Sequence, residues 1–134
     1  MERDFPRRPE PVYWLKSEGW SAIEMKLILA IIRPSKLEEV KDALADLQIS
    51  GMTVTDVRGH GRQRGKSAIY RGQEYKISLL PKVMIQVVLP DEMVREAIRT
   101  IVETARTGEI GDGRVFVLPV EEGYNIRTGE LDVN

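Results

Sequence analysis

The sequence has no cysteine and a single histidine, His60, among 134 residues. Disulfides and thiolate metal sites are therefore excluded, and a zinc site would need one imidazole plus carboxylates, a rare donor set. No apolar run approaches the ~20 residues that span a bilayer. The opening stretch MERDFPRRPEPVYWLKSEGW lacks the continuous apolar segment of a secretory signal, so the expected compartment is the cytoplasm. Excess charge of one sign is missing too. The net charge is −1, so bulk charge does not make the chain a polyanion binder. What is present is 42% apolar and 31% charged residues, the composition of a folded chain, in a length that suits one domain with a real core.

The chain divides near Met25. Before it lie three of the seven prolines and both tryptophans. Pro6, Pro9 and Pro11 fit neither a helix interior nor a central strand. Residues 1–24 are expected to be a flexible N-terminal extension, with 13–23 as a short amphipathic segment. Two readings fit it: a simple extension ahead of a domain that starts at Met25, or an arm whose Trp14 and Trp20 anchor a partner or a neighbouring subunit.

From Met25 the pattern is regular. LILAII (27–32) is a continuous apolar run and predicts a buried strand, stopped by Pro34. Ser35 and Glu38 have the spacing of a capping box. Leu37, Val40, Leu44 and Leu47 then recur at helical spacing, and Gly51 is expected to end that helix. MTVTDVRG (52–59) alternates as a strand does. Residues 60–80 break every period and predict a long exposed loop, a length that is usually functional. VMIQVVL (83–89) predicts a third strand, with Asp91 as N-cap of a second helix. Val94, Ala97, Ile98, Ile101, Val102 and Ala105 line one face of that helix, and Gly108 is expected to end it. RVFVLPV (114–120) predicts the last strand. The two halves share the order strand, proline, polar residue, helix. The economical architecture is α+β, a ferredoxin-like split βαβ sandwich with a long loop between strands 2 and 3. LILAII and VMIQVVL look buried on both faces, yet two helices cover only one, so self-association is expected.

Three segments are suited to chemistry. RGHGRQRGK (58–66) has glycines that let backbone N–H groups approach an anion, and Arg58, Arg62, Arg64 and Lys66 as cationic donors. It is not a Walker A loop, because GKS at 65–67 lacks the glycine five residues earlier. Taken alone it fits a solvated basic turn or an arginine-rich nucleic-acid patch equally well. TGEIGDGR (107–114) places Gly111, Asp112 and Gly113 in a tight turn, which is ordinarily a turn and nothing more. NIRTGE (125–130) contributes Arg127. Together, two glycine turns and an arginine-bearing tail suit a nucleotide polyphosphate held between adjacent chains. No Ser–His–Asp set of credible spacing and no HExxH occurs, so the chain is read as a binding protein rather than an enzyme. A weak ATPase would need a catalytic carboxylate, and none stands out. The net charge and the lack of aromatics within 58–66 speak against nucleic acid as a partner.

Over residues 25–134 the sequence resembles the PII family of nitrogen regulators. The resemblance rests on MKLILAIIRPSKLEEVKDAL, GMTVTDVRGHGRQRG, YRGQEY, LPKVMIQVV, TARTGEIGDGRVFVLPVE and IRTGE, all in the family's order. It implies a homotrimer with ATP or ADP in intersubunit clefts. The matching nucleotide positions are Thr53, Gly59, Gly61, Arg62, Gln63, Arg64, Val88, Gly111, Asp112, Gly113, Arg114 and Arg127. It implies that 2-oxoglutarate binds beside Mg-ATP at Gln63, Arg64, Gly65 and Lys82, with Gln63 giving Mg²⁺ a hard oxygen ligand. Residues 61–78 match the T-loop, which in the family binds ammonium channels or enzymes of nitrogen assimilation. Membrane association would then be peripheral, through a channel. Tyr75 matches a tyrosine that some members have nucleotidylated. Arg114 stands where lysine is usual, His60 for an aromatic and Gln86 for glutamate. Asn125 replaces one of two tail arginines, which implies one phosphate contact fewer. A divergent paralogue that binds adenine nucleotide without 2-oxoglutarate, and an Arg-loop nucleic-acid binder, are the alternatives.

Overall fold

The computed structural model describes residues 24–60 and 79–131, together with the backbone pairing of two short hairpins. Four strands and two helices make up the described domain: β1 (Met25–Ile32), α1 (Leu37–Asp46), β2 (Met52–Gly59), β3 (Leu80–Pro90), α2 (Asp91–Ala105) and β4 (Gly113–Val120). The sheet order is β2-β3-β1-β4 and every neighbouring pair is antiparallel. This is the ferredoxin-like α+β arrangement that the repeated strand–helix pattern predicts. Outside the sheet, Tyr13–Lys16 pairs with Gly19–Ala22, and Ile69–Tyr70 with Gln73–Glu74.

The core lies between the sheet and the helices. Ile28, Ala30 and Ile32 of β1 and Val83, Ile85, Val87 and Leu89 of β3 meet Val40 and Leu44 of α1 and Val94, Ala97, Ile101 and Ala105 of α2. Ile98 packs at the margin of this core. The alternate residues of the same strands point the other way. Leu27, Leu29 and Ile31 stand in register with Val88, Gln86 and Met84 on one side and with Leu118, Phe116 and Arg114 on the other. No described element covers that face, and Val88, Phe116 and Leu118 are 41%, 47% and 41% exposed. An apolar strand run that looked buried on both faces is thus half covered within one chain.

The element ends depart from the sequence expectations. Ser35 caps nothing with its side chain; Pro34–Lys36 form a 3₁₀ turn, closed by Lys36 N–H donating to the Arg33 carbonyl at 3.0 Å, and α1 follows it without a side-chain cap. Gly51 does not end α1. The helix closes in a Schellman motif: Gln48 takes φ +64°, its N–H donates to Ala45 O, and Ile49 N–H donates to Leu44 O. Burial of Ile49 against Leu44 offsets the cost of a non-glycine residue there. Asp91 is the first residue of α2 and Pro90 takes the N-cap position; the Asp91 N–H, which has no partner within the helix, donates to the Glu24 carbonyl at 2.9 Å. Its carboxylate and that of Glu92 still favour the positive end of the helix dipole. At the other end Arg106 turns extended (ψ 131°), and Gly108, φ +91°, belongs to the following turn. β3 starts at Leu80, three residues before the expected strand. Leu80, Pro81 and Lys82 pair with Gly59, Arg58 and Val57. Pro81 is tolerated because β1 ends opposite Val83, which leaves Pro81 with a neighbour on one side only.

Candidate functional site

Antiparallel pairing brings four chain segments to one end of the sheet. Gly59 pairs with Leu80, and Ile32 pairs with both Val83 and Gly113. The ends of β1 and β2 and the starts of β3 and β4 therefore lie together. That end carries Arg33, Gly59, Lys82 and the turn Gly111–Gly113, and residues 61–78 leave from it. The two glycine motifs, some fifty residues apart in sequence, thus become neighbours. A Cβ on Gly59 would lie 4.0 Å from Lys82 Cγ, and one on Gly111 3.6 Å from Lys82 Nζ.

Two cations hold the turn. Lys82 Nζ donates to the Gly111 carbonyl. Arg33 Nη2 donates to the Ile110 carbonyl at 3.0 Å, and Arg33 Nε to Asp112 Oδ1 at 2.9 Å. Asp112 also accepts from the Thr107 hydroxyl, and its Oδ2 accepts from the N–H groups of Thr107 and Gly108 at 2.8 and 2.9 Å. These bonds, the Thr107 hydroxyl foremost, hold the Asp112 carboxyl well below the usual carboxylate range. The carboxylate organises the turn and its hydrogen-bonding capacity is used within the chain. Burial pushes the Lys82 ammonium down from the ordinary lysine value; Arg33 adds to this, and Asp112 opposes it. Two cations crowded together in a half-buried place suit an anion.

Asp112 supplies a pH test. A carboxyl depressed on folding contributes stability above the unfolded carboxylate range and loses it as pH falls through the folded value. Asp112→Asn is expected to cost about 2 kcal/mol at pH 7 in chemical denaturation. The gap from wild type should narrow once pH drops below about 4. A gap that is constant with pH would show that the charge of Asp112 is not what matters.

The other expected site residues are dispersed. Thr53 stands opposite Gln86 and Val88 opposite Leu27, both on the open sheet face. Thr53 is therefore four strand positions, about 13 Å, from the level of Lys82. Arg114 opposes Ile31 at the start of β4. Arg127 lies in a closed turn of the C-terminal segment, bounded by the Tyr124–Leu131 bridge. Gly61, Arg62, Gln63, Arg64, Gly65 and Tyr75 lie outside the described residues. Within one chain the structure joins Gly59, Lys82, Gly111, Asp112 and Gly113, and leaves Thr53 and Val88 apart. Arg33 and Thr107 were not among the expected site residues. The only sequence signal for Arg33 is its position directly after a strand; Thr107 has none beyond opening the glycine segment. Among the described residues no cluster of His, Asp or Glu is arranged to hold a metal, and no helix is long and apolar enough to cross a membrane.

Comparison with known proteins decides the family. The model of the nitrogen regulatory protein P-II family matches residues 25–130, the whole of the described domain. The chain belongs to the P-II family. It is 56% identical over 106 residues to the nitrogen regulatory protein P-II of Haemophilus influenzae, covering 79% of this chain and 95% of that one. It is 54% identical over 108 residues to nitrogen regulatory protein P-II 1 of Escherichia coli, covering 81% and 96%. A Pasteurella multocida P-II protein is 55% identical over 106 residues, covering 79% and 95%. The P-II match begins at Met25, where the sequence divides, so the hairpin at 13–22 precedes the family domain. These P-II relatives are named as regulators.

Proposed function

We propose that this P-II chain reports nitrogen, carbon and energy status by binding ATP or ADP and, with Mg-ATP, 2-oxoglutarate. The signal passes to ammonium channels or nitrogen-assimilation enzymes through residues 61–78, in the cytoplasm and without catalysis. The observation that carries this reading is the placement of Lys82 and Arg33 at the base of that loop, against the 110–112 turn. A bound dicarboxylate there relieves the repulsion between the two cations. A loop rooted beside them then has a different preferred conformation with each ligand, which is a population shift. The side-chain chemistry suits the ligands: glycine N–H groups and Arg114 for phosphates, Lys82 for a carboxylate, and the Gln63 side-chain oxygen, which would be a hard ligand for Mg²⁺. A homotrimer, with its nucleotide sites between subunits, agrees with the uncovered apolar sheet face and with the separation of Thr53 and Val88 from Lys82. A neighbouring chain would supply those two. Tyr75 is the proposed modification site.

Calorimetry tests the reading. Titration of 2-oxoglutarate is expected to give heat with Mg-ATP and none with ADP, at one site per chain in a particle of three chain masses. Gln63→Ala should remove that heat. ATP binding without any 2-oxoglutarate response would favour the paralogue reading instead.

A further inference from the structure

The C-terminal turn is built around Asn125. Its N–H donates to the Glu130 carbonyl at 2.9 Å, and its carbonyl accepts from Gly129 N–H at 2.7 Å. Its side-chain Oδ1 accepts from Thr128 N–H at 3.1 Å, and the Thr128 hydroxyl in turn accepts from Glu130 N–H at 3.2 Å. Gly129 closes the loop at φ +70°. All four bonds are local, and three of them use Asn125. The loop projects Ile126, fully exposed, and Arg127, also exposed, and no core contact holds either. A short loop with no apolar anchor keeps one shape only if its own polar groups fix it. Two of the Asn125 bonds are main-chain, and its side chain adds the one to Thr128 N–H from the residue two before Arg127.

We propose that Asn125 is the positioning residue for Arg127: it touches no ligand, and it latches the 125–130 turn so that the guanidinium is held ready for a phosphate. This rests on the nucleotide reading above. The physical basis is pre-organisation. A long arginine on an unlatched loop loses freedom when it binds, and a latched loop has already lost part of it. The Asn side chain at this position therefore acts on anion affinity without adding charge.

The test uses the full chain and two readouts. Backbone amide exchange needs no ligand. Asn125→Ala should expose the Thr128 amide to exchange, and Asn125→Ser, whose hydroxyl can accept the same bond, should restore part of its protection. Calorimetry with ATP gives the second readout. Asn125→Ala is expected to weaken binding about fivefold and Arg127→Ala about tenfold or more. The double variant should bind like Arg127→Ala alone, because Asn125 acts through Arg127. Additive losses, or unchanged ATP affinity in Asn125→Ala, overturn the positioning role. Unchanged Thr128 exchange overturns the latch itself. No ATP binding by the wild-type chain overturns the nucleotide reading and this role with it, whatever the exchange data show.

Discussion

Gly113→Ala is expected to cost at least about 4 kcal/mol of folding stability, a large part of the roughly 5–15 kcal/mol that holds a domain together. Gly113 sits at φ +112°, where a side chain is strained by about 1–3 kcal/mol before any contact is considered. The contact is worse. A Cβ there would lie 1.8 Å from the Ile31 carbonyl oxygen and 2.8 Å from its carbon. Those atoms belong to β1, which is fixed from its other side by β3, so they cannot give way. The start of β4 would have to leave the sheet, breaking the Ile32–Gly113 and Ile31–Arg114 pairings and displacing the turn that Arg33 and Lys82 hold. Urea denaturation at unchanged m value measures the loss. Gly51→Ala is the control: a Cβ there meets nothing within 4 Å and the φ is not positive, so its change should stay within about 0.5 kcal/mol. A Gly113→Ala protein as stable as that control would show that the β1–β4 register is wrong.

Lys82→Ala is expected to weaken 2-oxoglutarate about 10- to 100-fold in protein loaded with Mg-ATP, the worth of one charge-assisted bond to a carboxylate. ADP binding should change less than about threefold. Stability should hardly move, because the ammonium is already disfavoured by its burial and by Arg33. Removing it frees Arg33 of a like charge while sacrificing one bond to the Gly111 carbonyl. Lys82→Arg should not restore the affinity, since a planar fork does not replace a compact ammonium in a half-buried place. Equal losses of 2-oxoglutarate and ADP affinity would mean that Lys82 serves the turn and not the dicarboxylate.

The element ends show where local reading stops. Ser35, Gly51, Asp91 and Gly108 all carry the right chemistry for helix termini, and none performs the expected cap. At the start of α2 the Asp91 N–H donates to the Glu24 carbonyl, 67 positions back in the chain, and at Gln48 a left-handed residue is accepted because Ile49 gains the core. Both decisions are tertiary. The site divides in the same way. Gly111 and Gly113 were legible, because a turn flanked by glycines announces close backbone approach. Arg33 was not, because its partners Ile110 and Asp112 lie 77 and 79 positions away.

By itself the sequence determined the helix and strand periods, the split βαβ order and the glycine turn at 111–113. Each of these depends on residues a few positions apart, so a short window carries the information. Only the tertiary structure decided that the ends of β1 and β2 meet the starts of β3 and β4, with Arg33, Lys82 and the 111–113 turn in one place. Strand register is a long-range choice made by packing the core. No local pattern encodes which strand end will face which.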